Sequence, residues 1–244
     1  MLGLHLISKP KPRLPDGIRI YAISDIHGCA DLLRGVFTAI DHHLARAGPV
    51  RALHVFLGDY IDRGPASRQT IDLLIERSRR HESIFLKGNH EAFMFEVLQD
   101  ANRLEAWKEY GGFQTLMSYG LAPSIKPDRD EQKELVQALL HGIPNHHRLF
   151  FNNLRSSFSC GDFFFAHAGV KPGVPLRRQR EEDLLWIRDE FLQCDEDFGK
   201  FIVHGHTPVP RPQIRPNRIN IDTGAYATGI LTLLTIQGER MFAI

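Results

Sequence analysis

The sequence predicts an α/β protein whose mixed strands form two sheets. Three observations carry this. Short β-branched or aromatic runs alternate with helical stretches through the first half. Those early strands have the rhythm of parallel strands joined by crossover helices. The tail instead places strand-like runs close together, as antiparallel strands do. One doubly wound sheet does not accommodate both halves, so two sheets are expected.

The elements follow in order. Ile18–Ile23 alternates like a strand and ends at Ser24-Asp-Ile-His-Gly28. Residues 30–47 read as a helix, with Leu33, Val36, Phe37, Ile40 and Leu44 at helical spacing. A buried-type strand, 52–57, ends at Gly58-Asp59, and 67–80 reads as a helix. Strand 83–86 ends at Gly88-Asn-His-Glu91. Residues 92–141 look mostly helical, broken at Gly111-Gly112 and at 120–127. Strand 162–166 ends at His167-Ala-Gly169, and 201–203 ends at His204-Gly-His-Thr207. Further strands are expected at 219–221 and within 229–244. The Pro-rich opening, 1–17, reads as an extended leader.

Bulk properties exclude several function classes. The chain has 244 residues, 43% hydrophobic and 24% charged, with a formal net charge of +1. That balance gives no electrostatic case for nucleic acid or a membrane surface. Three scattered cysteines form neither a disulfide framework nor a zinc knuckle, and they fit a reducing, cytoplasmic setting. No apolar run has the length of a membrane span or a secretory signal.

Function points emerge from where polar residues fall. Five predicted strands end in glycine-containing turns bearing Asp, Asn or His. Carboxyl ends of strands gather along one edge of an α/β sheet, so Asp25, His27, Asp59, Asn89, His90, His167 and His206 can converge. Mixed oxygen and imidazole donors suit manganese, iron or zinc. Gly58-Asp-Tyr-Ile-Asp-Arg-Gly64 is the most specific stretch, joining two carboxylates to an arginine suited to phosphate.

In this order the motifs resemble those of the calcineurin-like metallophosphoesterases, and within them the bacterial phosphoprotein (serine/threonine) phosphatase branch. The resemblance runs from about Ile18 to the tail. It implies a two-sheet sandwich flanked by helices, one catalytic domain over 18–244, and two divalent metal ions, manganese first with iron or zinc as alternatives. Asp25 and His27 would bind one ion, Asp59 would bridge, and Asn89, His167 and His206 would bind the other. His90, backed by Asp62, would donate a proton to the leaving group. Arg63, Asn89 and, by a looser match, Arg188 would hold phosphate. Many relatives carry a second histidine where this chain has Pro208; the phosphoprotein phosphatases also lack it.

The implied chemistry is in-line attack on phosphorus by a hydroxide activated between two metals. The expected substrate is a phosphorylated protein or peptide. The alternative is a nucleotide hydrolase of the same fold, such as a symmetrical diadenosine tetraphosphate hydrolase. The remaining histidines, among them His54, His81, His146 and His147, are expected to be surface or core groups. Cys29 is expected to be a small buried thiol, Phe163–Phe165 sheet core, and Trp186 to pack beneath the site. Gly111–Gly120 is read either as substrate rim or as a helix–helix turn. His204 has no assigned role.

Overall fold

The computed structural model describes residues 11–243. The chain runs β1 (Ile18–Ile23), α1 (Ala30–Arg46), β2 (Arg51–Phe56), α2 (Ser67–Ser78), β3 (Ser83–Phe85) and α3 (Asn89–Gln99). A helical segment follows: α4 (Leu104–Glu109), α5 (Gly112–Ser118), α6 (Arg129–Gly142) and α7 (Asn145–Asn152). Then come β4 (Ser157–Cys160), β5 (Phe163–Ala166), α8 (Glu181–Trp186), α9 (Asp189–Leu192) and β6 (Phe201–His204). The chain closes with β7 (Gln213–Ile214), β8 (Arg218–Asn220), α10 (Ala225–Thr228), β9 (Leu233–Gln237) and β10 (Arg240–Ala243).

Two mixed five-stranded sheets result, in the orders β10-β9-β1-β2-β3 and β4-β5-β6-β8-β7. In the first, β1, β2 and β3 are parallel, while β9 runs antiparallel to β1, pairing Ile20 with Ile236. In the second, β5, β6 and β8 are parallel and the edge strands β4 and β7 antiparallel. The parallel rhythm expected of the first half is present, and the tail forms the expected antiparallel strands.

The period-two pattern of β1 explains the layering. Ile20 and Ala22 face the second sheet, meeting Phe163, Phe165 and Val203, whereas Tyr21 and Ile23 face the helices. Fully burying each such Ile, Val or Phe contributes about 1.5–3 kcal/mol. The outer face of the second sheet, Phe164, Ala166 and Ile202, is covered by Leu184, Ile187 and Phe191. All three phenylalanines of β5 are therefore core, as expected, but they serve two different layers.

Leu14 is fully buried between the sheets, and its N–H donates to Gly238 O at 3.0 Å. Residues 1–10 of the expected leader lie outside the described residues. Cys29 is half-buried and, like Cys160 and Cys194, is not in a disulfide. Among the described residues no helix is long and apolar enough to cross a membrane.

Candidate active site

The polar turns that follow β1, β2, β3, β5 and β6 meet at one place. Backbone hydrogen bonds lock the first two together: Ile26 N and His27 N both donate to Asp59 O, at 3.0 and 2.8 Å. Glu91, in the first turn of α3, ties in the third. Its carboxylate accepts from the N–H groups of Gly88, Asp59, Tyr60 and Ile61 at 2.9, 3.0, 2.8 and 3.3 Å. One buried side chain thus satisfies four backbone donors that the sharp turns withdraw from sheet and helix.

The backbone here is forced. Among the described residues, the non-glycine residues with left-handed φ are His27, Asp59, Asp62, Arg63 and His206, at 47°, 52°, 71°, 66° and 67°. Each belongs to the site, and such conformations persist only when the surroundings impose them. Close approach matters as well. A Cβ on Gly88 would collide with the Asp59 carboxylate, and one on Gly205 with that of Asp25.

The expected ligands converge around Asp59. Its Oδ2 lies 3.5 Å from His27 Nε2, 3.5 Å from His167 Nε2 and 3.9 Å from His90 Nε2. Asn89 Oδ1 lies 2.8 Å from His167 Nε2 and 2.9 Å from His206 Nδ1. Two overlapping groups have the spacing of a metal-binding set: His27, Asp59 and His90, and Asp59, His167 and His206. Asp25 sits alongside, its Oδ2 accepting from His206 N at 3.0 Å and its Oδ1 buried without a partner.

These residues fit divalent cations. Burial and the charges of Asp222 and Asp59 push Asp25 well above the usual carboxylate range, and burial foremost raises Asp222 to about 6. Buried carboxylates so close to one another stay ionised together only beside positive charge. The histidines leave that role open. Burial lowers His27 to about 3 and also lowers His167 and His206, so their lone pairs are available. His27 Nδ1 lies 3.0 Å from Ile61 O and His167 Nδ1 2.9 Å from Leu57 O. A carbonyl accepts only, so in both rings Nδ1 holds the proton and Nε2 faces Asp59.

Asp62 lies apart from these donors, fully buried beneath His90. It accepts from Trp107 Nε1 at 2.7 Å and Thr115 Oγ1 at 2.6 Å, and His90 Nδ1 lies 2.7 Å away. Burial disfavours an imidazolium at His90, but the charges of Asp59 and Asp62 outweigh it and raise the group. Trp107 and Thr115 come from α4 and α5. The segment around Gly111 is therefore neither a simple turn nor only a rim: it packs against the site, and Gly111 O accepts from Arg63 N at 3.2 Å.

Arg63 Nη1 donates to the Tyr226 hydroxyl at 2.7 Å. Arg188 is exposed, and its charge reaches His167, His206 and Asp222. Trp186 does not pack beneath the site. It is 38% exposed at the rim, 6.3 Å edge-on from His206, because α8 ends there. His204 is buried away from the convergent donors, edge-on to Phe191 at 4.9 Å.

Sequence reasoning named Glu91 without giving it work, and it missed Trp107, Thr115 and Asp222. Asp222 was reachable, since Ile221-Asp-Thr-Gly224 is another strand end with an acidic, glycine-containing turn. Trp107 and Thr115 carried no local signal, because helices remote in sequence deliver them.

Residues 18–228 match the family model of the calcineurin-like phosphoesterases. The chain belongs to that family, and its two-sheet architecture is the family fold. Among curated proteins it is similar to bis(5'-nucleosyl)-tetraphosphatase PrpE [asymmetrical] of Bacillus velezensis, 29% identical over 86% of each chain. The protein of the same name from Halalkalibacterium halodurans is 26% identical over 87% of each. A solved structure described as a candidate diadenosine tetraphosphatase superposes with a TM-score of 0.63 at 19% identity, covering 96% of this chain and 97% of that one.

Proposed function

We propose that this metallophosphoesterase hydrolyses dinucleoside polyphosphates, with a dinucleoside tetraphosphate as the reference substrate. The expectation of a phosphoprotein substrate gives way to the nucleotide alternative. The names of the curated relatives support that change, and they point to asymmetrical rather than symmetrical cleavage.

One observation carries the reading. Three exposed aromatic rings stand at the site: Tyr226 5.3 Å from the His27 ring, Tyr110 6.1 Å from His90, and Trp186 6.3 Å from His206. They are 41%, 41% and 38% exposed. Exposed rings beside a phosphate site are platforms for bases, each stack being worth about 1–3 kcal/mol. Two bases joined by a polyphosphate need more than one platform.

In this reading Asp25, His27, Asp59, Asn89, His167 and His206 hold two divalent ions. Manganese is the first choice, with iron or zinc compatible with the same donors. When bound, the ions supply Lewis-acid neutralisation of phosphate charge and lower the pKa of water. Arg63 and Arg188 grip phosphate oxygens, and Asn89 orients them alongside. His90 keeps its proton through Asp62 and delivers it from Nε2 to the departing phosphate oxygen. Trp107 and Thr115 also donate to Asp62 and hold its carboxylate in place beneath His90.

The test compares turnover of diadenosine tetraphosphate and of a phosphoserine peptide by manganese-loaded protein, with products resolved by chromatography. Dinucleotide cleavage to AMP and ATP, with little peptide hydrolysis, is expected. Faster peptide turnover would return the function to protein dephosphorylation, and two molecules of ADP would make the cleavage symmetrical.

A further inference from the structure

We propose that Asp72, His146 and His147, where α2 meets α7, form a separate divalent-metal site suited to zinc. It shares no residue with the active-site donors and lies on histidines that the sequence alone assigns to surface or core. Both imidazoles turn Nε2 onto one oxygen of Asp72, at 2.8 Å for His147 and 3.3 Å for His146. The three donor atoms lie within 4.8 Å of one another.

The spacing suits a metal. Zinc binds imidazole nitrogen and carboxylate oxygen at about 2.0–2.2 Å, which places tetrahedral neighbours about 3.3 Å apart. The His146–Asp72 pair already has that separation, and the His147–Asp72 pair needs to open by a few tenths of an ångström. The direction of the rings is informative too. Consecutive residues on a helix point apart, yet the rings of His146 and His147 lie edge-on with centroids 4.5 Å apart, and both face the same carboxylate.

The outer contacts also match. His147 is fully buried, and its Nδ1 lies 2.8 Å from the Tyr119 hydroxyl. A partner on the second nitrogen is what fixes a ligating histidine with its other nitrogen toward the ion. The side chains of His146 and Asp72 are 52% and 51% exposed, which leaves an entry path and room for water as a fourth ligand. The two-nitrogen, one-carboxylate set is typical of zinc and its neighbours. Bound there, the ion would clamp the helical segment to α2, whose first residue, Ser67, receives a hydrogen bond from Asp62 N at 3.1 Å.

Equilibrium dialysis of the full chain against buffered zinc, with bound metal counted by mass spectrometry, decides the matter. Wild type is expected to hold one equivalent more than either His146→Ala or Asp72→Asn, with turnover in manganese unchanged among the three. Zinc should also raise the unfolding temperature of wild type more than that of the variants. Both replaced side chains are half-exposed, so either variant should fold. Equal metal counts in wild type and either folded variant overturn the site and leave a hydrogen-bonded cluster in its place.

Discussion

Tyr226 holds Arg63 in two ways: its hydroxyl accepts from Nη1 at 2.7 Å, and its ring lies under the guanidinium at 4.6 Å. Arg63 is in a left-handed conformation, and its Nε is buried without a partner. The tyrosine therefore sets where the remaining nitrogens point. Removing only the hydroxyl, in Tyr226→Phe, should raise KM for any phosphate ester roughly 3- to 10-fold with kcat little changed, the cost of one charge-assisted hydrogen bond at a half-exposed site. Tyr226→Ala should cost a further factor of about 10 on diadenosine tetraphosphate and much less on p-nitrophenyl phosphate, because only the former has a base to stack. Equal losses on both substrates would remove Tyr226 from base recognition.

His90→Asn should lower kcat by about 10²–10⁴ while bound metal stays near the wild-type count. The loss should shrink for esters whose leaving group needs no proton, which a series of substituted phenyl phosphates would reveal. Metal loss in parallel with activity would instead make His90 a ligand beside Asp59, whose Oδ2 lies 3.9 Å from its Nε2.

Glu91 should matter more to the fold than to the chemistry. Glu91→Ala leaves four buried N–H groups without their acceptor, each worth about 1–3 kcal/mol. A combined loss of about 4 kcal/mol or more is expected in urea unfolding. Glu91→Gln keeps one acceptor oxygen but turns its NH2 toward two N–H donors, so it should lose at least half as much. A variant of unchanged stability would show that the turns are held by other contacts.

Acid sensitivity has an identifiable source away from the active site. The hydrogen bond from Arg77 draws Asp41 below its usual value, and burial opposes this only in part. A carboxylate depressed in the folded state stabilises at pH values above its unfolded pKa of about 3.9, and that contribution disappears as pH falls through the lower, folded value. The Asp41 side chain is 51% exposed, so the contribution is under about 1 kcal/mol. Between about pH 5 and about pH 3, the urea midpoint of Asp41→Asn should fall less than that of wild type. Identical acid slopes would assign the sensitivity to other carboxylates.

Strand positions were legible because alternation and β-branched runs are local. Helices at 30–47 and 67–80 were foreseen within two residues of Ala30–Arg46 and Ser67–Ser78. The convergence of these polar residues was legible because each sits in or next to a glycine-containing turn at a strand end. What stayed hidden was delivered from afar. Tyr226 reaches Arg63 across 163 positions, and Thr115 reaches Asp62 across 53. No periodicity encodes such pairs. Trp186 was misplaced for a related reason: the helix carrying it ends at that residue, and only the geometry of that end turns the ring outward.

The pairing of β1 with β9 has a consequence for how the chain comes into being. β1 leaves the ribosome well before one of its neighbours, which is made more than two hundred residues later, as the contact between Arg19 and Gln237 records. At about 5–20 residues per second, that neighbour arrives some 10–40 s after β1 emerges. During that interval β1 has β2 on one side only, and its other edge is open to wrong partners. Newborn chains of this protein should therefore depend on chaperone shielding until β9 has emerged, and should fold faster when β9 is already present than they can while it is still being made.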